Sequence, residues 1–410
     1  MADPYYQRSL QDYWRRAARQ FPVLLLTGPR QVGKTTFLQH VRERRRAYVT
    51  LDDPTVRALA VRDPALFLER FRPPILIDEI QYAPQLLPHI KMISDARRKP
   101  GMFWLTGSQQ FQVMRGVSET LAGRVGILHM LGFSGRERRQ RELRLPPFMP
   151  TTRLLQARFG SLEPSTLQQV YREIWTGGFP ALVSGIVSDR DLFYSSYMQT
   201  YLQRDVKDLA QVGDELSFVR FVRACAARTA QLLNLTDLAR DADVSVNTAK
   251  HWLSILQGSF QVLLVQPFHQ NVTKRLVKTP KLYFLDTGLC AYLTEWSSPK
   301  TLEAGAMAGP VFETHVVSEI LKSWWHRGRT PSLYFYRDKD GREIDLLIVH
   351  NGTLYPIEIK RTASPRPDAV ASFSALSRFP LRRGGGALIC LVQSPLPLTR
   401  STQAVPVSAI

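Results

Sequence analysis

The chain has 410 residues, 44% hydrophobic and 22% charged, the composition of a globular protein with room for two or three domains. Its 54 Lys and Arg against 35 Asp and Glu give a formal charge of +19, which favours polyanionic partners, nucleic acid first and anionic membrane second, over a basic surface that serves only solubility. Three scattered cysteines (Cys225, Cys290 and Cys390) exclude a disulfide frame or zinc spacing, and no run has the apolar length of a signal core or membrane span. The expectation is a soluble, cytoplasmic protein with no membrane partner.

Up to about residue 145, short apolar runs (VLLL, AYVTL, ILI, MFWLTG, GILHML) alternate with polar, helix-capable segments, which predicts a parallel α/β sheet. The run FPVLLL at 21–26 leads through Thr27 into GPRQVGKTT, formed by Gly28, Pro29, Arg30, Gln31, Val32, Gly33, Lys34, Thr35 and Thr36. This is a complete G-x-x-x-x-G-K-T loop. Its glycines let the backbone wrap nucleotide phosphates, Lys34 reaches the outer ones and Thr35 holds Mg²⁺. PILIDE at 74–79 supplies the second half: Asp78 completes the Mg²⁺ shell and Glu79 polarises the attacking water. A third strand, MFWLTGSQ at 102–109, ends in Thr106, Ser108 and Gln109, candidates for the γ-phosphate or the lytic water. A loop Ser or Thr can also be a simple cap.

Residues 146–216 read as helical and rich in Arg and aromatics, with a break at TGGFP, 176–180. Residues 235–256 then predict a helix, a tight turn and a second helix. Ala239 is small enough for the crossing, Val244 fills the turn and Ser245 caps the second helix. Leu238, Val244, Ala249, Trp252 and Leu253 form the shared core, leaving Asn247, Lys250, His251 and Ser254 outward as candidate DNA contacts. The strand-like FQVLLV at 260–265 suggests a wing. Such a winged helix can equally serve as a packing or subunit interface.

REIDLLIVHNGTLYPIEIK at 342–360 contains Asn351-Gly352 between alternating apolar runs, a strong signal for a two-residue hairpin turn. With His350 opposite Thr353, the register puts Asp345 opposite Glu358 and Glu343 opposite Lys360, all on one face. Facing carboxylates repel, and a divalent cation between them removes the conflict. Lys360 beside them can orient water or stabilise developing negative charge, the chemistry of metal-dependent phosphodiester cleavage. The arrangement resembles the restriction-endonuclease-like PD-(D/E)xK core, in which an acidic helix precedes the hairpin. Here Pro310 opens an amphipathic helix with Glu313 in its first turn, where it can alternatively serve the helix dipole. LYFY at 333–336 supplies the first strand; 369–379 and 386–392 supply a later helix and strand.

GPRQVGKTT, LDDP at 51–54, ILIDEIQ at 75–81, WLTGSQQF at 104–111 and LAGRV at 121–125 resemble one prokaryotic branch of the AAA+ ATPases. So do TGGFP, YLQRDV at 201–206, KLYFLDTGLCAYL at 281–293, VFETHVVSEIL at 311–321 and the hairpin, so the resemblance spans the chain. It implies ATP hydrolysis with Mg²⁺ and a homo-oligomer, a hexameric ring or another assembly, with an arginine supplied across the interface. Arg124 matches the family's LAGR position; Arg115 is the alternative.

The expected fold class is α/β multidomain. It comprises an AAA+ P-loop domain (1–145), a helical lid or connector (146–215), a winged-helix-like domain (216–280) and a restriction-endonuclease-like domain (281–410). The expected function is ATP-driven DNA processing with metal-dependent endonuclease activity. The catalytic set is Glu79, Asp345, Glu358, Lys360 and Arg124; Ser108 and Asp78 join the loop in binding nucleotide. Thr35 and Asp78 hold Mg²⁺ there, while Glu313, Asp345 and Glu358 hold Mg²⁺ or Mn²⁺ in the hairpin domain. The alternatives are a nucleotide-controlled DNA- or protein-binding switch with a non-cutting platform, and a sensor of protein partners.

Overall fold

A computed structural model describes residues 5–107, 117, 120–160, 162–201, 215–269 and 279–410. The chain divides into two compact units, one of residues 1–133 with 258–260 and 325–328, the other of the remainder. Among the described residues no helix is long and apolar enough to cross a membrane.

The first unit is built on five parallel strands: β1 (Val23–Thr27), β2 (Ala47–Thr50), β3 (Ile75–Asp78), β4 (Phe103–Gly107) and β5 (Val125–His129), in the order β2-β3-β4-β1-β5. The central strands are short continuous apolar runs because parallel strands are covered on both faces. β1, β3 and β4 are buried along their whole length. Helices α1 (Gln11–Ala17), α2 (Lys34–Val41), α3 (Pro54–Arg62), α4 (Pro64–Arg70) and α5 (Leu86–Arg97) surround them. The α3 and α4 starts are fixed locally: Asp53 and Asp63 cap the first free N–H groups, and proline follows each cap. One core joins Leu25, Ile77 and Leu105 of the sheet to Phe67 and Ile90 of the helices. Each such side chain contributes about 1.5–3 kcal/mol by leaving water. The register aligns Thr27 with Gly107 and His129, and Thr50 with Asp78, so the polar strand ends gather at one edge.

In the second unit, a helix Glu215–Ala227 precedes β6 (Gln231–Leu232), helices Leu235–Ala242 and Val246–Gly258, then β7 (Val262–Pro267) and β8 (Lys281–Phe284). β8 lies between β6 and β7, antiparallel to both. The turn between the two helices is Asp243 in the left-handed conformation, with Ser245 Oγ accepting from the Thr248 N–H at 3.1 Å. Leu238, Ala249, Trp252 and Leu253 are buried as predicted, while Val244 is only half-buried. Trp252 packs edge-on against Phe218 and Phe221 of the helix Glu215–Ala227.

β7 continues the sheet by pairing in parallel with β9 (Ser332–Arg337), which leads to the hairpin of β10 (Glu343–His350) and β11 (Thr353–Ile359). Beyond it lie β13 (Gly386–Cys390), β15 (Thr402–Pro406) and β14 (Leu396–Thr399), with β12 (Arg382–Arg383) alongside β11. Asn351 and Gly352 both have positive φ, 48° and 70°, as a type I′ turn requires. His350 pairs with Thr353, and the predicted register holds to Leu346 opposite Ile357. The predicted helix at 369–379 is a 3₁₀ helix, Pro367–Arg378. Ser374 and Ser377 hydroxyls bond the carbonyls three residues back, at 2.7 and 2.8 Å, which favours the tighter winding. Its Val370, Phe373 and Leu376 cover Leu347, Leu354 and Leu388 of the sheet.

Candidate active sites

The loop 28–33 joins β1 to α2. Gly28 has φ 153° and lies where any Cβ would run into the Met130 carbonyl oxygen; Gly33 (φ 84°) turns the chain into α2. From below, Arg8 donates to the carbonyls of Val32 (3.0 Å) and Leu131 (2.6 Å), tying the loop to the segment after β5. Lys34 is buried, and its Nζ donates to the Gly28 and Pro29 carbonyls at 2.9 and 2.7 Å, on the loop's inner side. Thr35 Oγ1 donates to the Asp78 carboxylate at 2.9 and 3.0 Å. The α2 start thus stands directly against the end of β3.

Asp78 is only 4% exposed, and burial raises its carboxyl above the usual range, with the Glu79 charge adding to the effect; Thr106 and Thr35 hydroxyls counter it. A buried carboxylate beside a threonine hydroxyl is an oxygen donor set that fits Mg²⁺. Thr106, expected at the phosphate, instead donates to Asp78 and accepts from the Glu79 N–H at 3.0 Å. It therefore sets the geometry of the acidic pair. Glu79 has φ 57°, and its side chain accepts from Gln81. Thr106→Val is expected to lower ATP turnover roughly 10–100-fold, as loss of a ligand-orienting group does. Steady-state turnover with Mg²⁺ titration checks this; an unchanged rate would remove Thr106 from the site. Ser108 and Arg115 lie outside the described residues.

Arg124 immediately precedes β5, while the phosphate loop follows the far end of β1. The strands run parallel in register, so roughly 13 Å of sheet separates Arg124 from its own loop. Its guanidinium is paired with Asp95 of α5, at 2.5 and 3.1 Å, and this bond holds the Asp95 carboxyl below its usual range.

In the second unit, the hairpin end carries a mixed cluster. A bulge in β10 between Ile344 and Leu347, against β9, interrupts the ladder at Asp345. Asp345 Oδ2 accepts from the Ile359 N–H at 2.9 Å, so the carboxylate closes the ladder where the next cross-strand bond would form. Lys360 Nζ lies 2.6 Å from Glu358 and 3.4 Å from Asp345. Asp345 and Glu358 are 6% and 5% exposed. Burial and the Asp345 charge push the Glu358 carboxyl up to about 8 despite Lys360, and Glu358 Oε2 is buried without a hydrogen-bond partner.

Two expectations are corrected. Glu343 does not meet Lys360; it pairs with Lys281 at 2.5 Å and with Arg337 at 3.8 Å. Glu313 lies in the second turn of a helix that begins at Ala308, so it does not serve the helix N-terminus. It accepts from the Tyr283 hydroxyl at 2.7 Å and pairs with Lys281 at 3.3 Å. Burial and Asp345 raise its carboxyl to about 7. Lys281, also buried, reaches to 4.0 Å from Asp345. Burial disfavours its charge, but Glu313, Asp345 and Glu343 together outweigh burial and raise its pKa.

Among the described residues no three His, Cys, Asp or Glu side chains converge to hold a metal ion. Glu313 is bonded instead to Lys281 and Tyr283 of β8. Asp345 with the unpartnered Glu358 oxygen retains the hard-oxygen donors that fit a divalent cation. Lys281 and Tyr283 are the residues sequence reasoning missed. Their signal was a lysine opening the strand KLYF.

Asn247, Lys250 and His251 are exposed on one side of the helix Val246–Gly258. The preceding helix adds Asp237 and Asp241, which pair with Arg240 and Arg228.

A family model described as an AAA domain matches residues 20–138, and models of two domains of unknown function, DUF8612 and DUF4143, match 167–300 and 308–410. Over 402 residues the chain is 30% identical to the uncharacterized proteins Rv2008c of Mycobacterium tuberculosis and Mb2031c of Mycobacterium bovis, covering 97% of this chain and 82% of each of theirs. Among solved structures, the Walker-type ATPase paby2304 of Pyrococcus abyssi aligns over 70% of this chain and 96% of its own, with 14% identity and a TM-score of 0.44. The RuvB Holliday junction branch migration motor of Thermotoga maritima aligns over 62% and 85%, with 16% identity and a TM-score of 0.27. The AAA-domain match falls on the unit whose phosphate loop, Thr35 and Asp78 converge at the edge of a parallel sheet. The chain is an AAA-type P-loop ATPase and belongs to the family of these two mycobacterial proteins.

Proposed function

We propose that this ATPase processes DNA, and that its second unit cuts phosphodiester bonds with a divalent cation. One observation carries the reading: Asp345, Glu358 and Lys360 meet at a bulged hairpin end where a buried Glu358 oxygen has no partner. Asp345 and Glu358 would hold Mg²⁺ or Mn²⁺, with Glu313 joining if it left Lys281. The bound cation supplies Lewis-acid polarisation of a phosphodiester oxygen. Lys360, half-exposed and charged beside both carboxylates, would orient the attacking water or stabilise negative charge on the departing group.

The order helix, β9, hairpin, 3₁₀ helix, β13 supports a restriction-endonuclease-like core in 281–410. A helix–turn–helix with one short strand, β6, before it and β7 after it, both paired antiparallel to β8 just beyond, supports a winged-helix-like domain in 216–280, with 146–215 as connector. Asn247, Lys250 and His251 are its proposed DNA contacts. In the first unit, Lys34 would bind the outer phosphates, Thr35 and Asp78 the Mg²⁺, and Glu79 would polarise water. Arg124, too far from its own loop, would act on a neighbouring subunit's nucleotide after releasing Asp95, within a homo-oligomer.

A second reading is favoured by Lys281. A buried ammonium already balances Glu313, Glu343 and Asp345, as expected of a structural cluster on a non-cutting platform. The two readings separate when linear, forked and four-way-junction DNA are incubated with the protein and Mg²⁺ or Mn²⁺, beside a Lys360→Ala variant. Cleavage by the parent, reduced at least roughly 100-fold in the variant, is the expected result. Tight, salt-sensitive binding without any cleavage would leave the switch.

A further inference from the structure

The first unit contains a cavity of about 1090 Å³ among the ends of α1, α2 and α5 and the starts of β3 and β4. It lies at the edge of the sheet where the strands begin, whereas the nucleotide loop lies where they end. Seven Arg and Lys side chains line it against a single carboxylate, Glu43. Arg19, Arg97 and Lys99 have no carboxylate within ion-pair distance among the described residues.

Part of this lining is built rigidly. Arg46 is 4% exposed, lies over the Trp104 ring at 3.9 Å, donates to the Gly101 carbonyl at 2.8 Å and pairs with Glu43 at 2.9 Å. Gly101 (φ 69°) fits under α1 because a side chain there would press on the Ala18 carbonyl. Trp104 is buried in the wall, and its indole N–H has no acceptor. Gathering like charges in one concavity with so little compensation destabilises a fold unless an anion shares the space.

We propose that this cavity is a second phosphate-binding site, one that takes a chain of linked phosphates. Its size is that of a full ligand pocket rather than of a single small anion. Its one aromatic wall, Trp104, is covered by Arg46, so no ring face is open for stacking a base. Recognition therefore falls on the phosphates, through charge-assisted hydrogen bonds from arginine. Two sources offer that chemistry: the backbone of a single strand of nucleic acid, as the proposed DNA role supplies, or a free polyphosphate.

The test uses the full chain with Arg19→Glu and Lys99→Glu combined; ATP turnover without DNA confirms that the variant is folded. In one arm, tripolyphosphate is titrated in a Lys34→Ala background, which removes the competing phosphate loop, and thermal unfolding is followed. Tripolyphosphate is expected to raise the unfolding midpoint, and the charge reversals to abolish the rise. In the other arm, binding of a single-stranded oligonucleotide is measured against salt. The slope of log affinity on log salt is expected to fall by about 1.4, at about 0.7 for each phosphate no longer neutralised. Tripolyphosphate binding without oligonucleotide binding would retain the site, assign it to free polyphosphate and leave the DNA reading to fail separately. Oligonucleotide binding with an unchanged slope, together with no tripolyphosphate effect, would overturn the site while sparing the DNA reading.

Discussion

Lys34→Ala is expected to lower ATP turnover at least roughly 100-fold, the drop that follows removal of one preorganised charge from a buried site. The ammonium is held on the inner side of the loop by the Gly28 and Pro29 carbonyls, so it is positioned before nucleotide arrives. No other lysine belongs to the loop 28–36. The same variant tests the proposed role of Arg124. Its subunits keep Arg124 but lack a working loop, and Arg124→Ala subunits have the opposite defect. Mixing the two is expected to restore turnover that neither shows alone. Turnover surviving in Lys34→Ala would contradict the assignment of the nucleotide site. Failure of the mixture to recover would return Arg124 to its observed structural role beside Asp95.

The second large effect is a stability that falls with rising pH and returns with a divalent cation. In the folded chain, burial and the Asp345 charge lift the Glu358 carboxyl to about 8 and that of Glu313 to about 7. In the unfolded chain both sit near 4.5. Folding therefore takes up protons. The contribution is fully present below the unfolded value and is lost progressively as pH rises from about 4.5 to the folded values of about 7 and about 8. Its scale is on the order of a few kcal/mol, reduced by the ion pairs to Lys281 and Lys360. Thermal unfolding across that range is expected to show a falling midpoint in metal-free buffer. Mg²⁺ or Mn²⁺ would flatten the fall, and Glu358→Gln would remove most of it. A parent profile as flat as that of Glu358→Gln would show that these carboxylates do not carry the strain assigned to them.

Local features of both sites are legible in the sequence. The phosphate loop needs glycines at fixed offsets, and Asn351-Gly352 dictates a turn that sets the register of everything beside it. What stays hidden comes from elements distant in the chain. Lys281 and Tyr283 enter the hairpin cluster from β8, and nothing in the hairpin's own alternation announces them. The bulge at Asp345 is invisible for a related reason: periodicity assumes one residue per step, and the bulge inserts an extra one. Proline marks a helix start only approximately. The helix of Glu313 begins two residues before Pro310, which moves the carboxylate out of the first turn. Thr106 belongs to the nucleotide site, as its strand end suggests, but its partners are Asp78 and Glu79, one strand away.

A basic surface and a phosphate loop suit many ATPases, whereas cutting DNA requires the hairpin cluster to hold a divalent cation. Binding of Mn²⁺ to the nucleotide-free chain tests it most directly, measured by electron paramagnetic resonance in a Thr35→Ala background that disables the other cation site. Mn²⁺ is expected to bind more tightly as pH rises through about 7 to about 8, and not to bind in Asp345→Asn or in Glu358→Gln. No binding, or binding indifferent to both substitutions, would contradict the claim and leave Lys281 as the cation this cluster was built to hold.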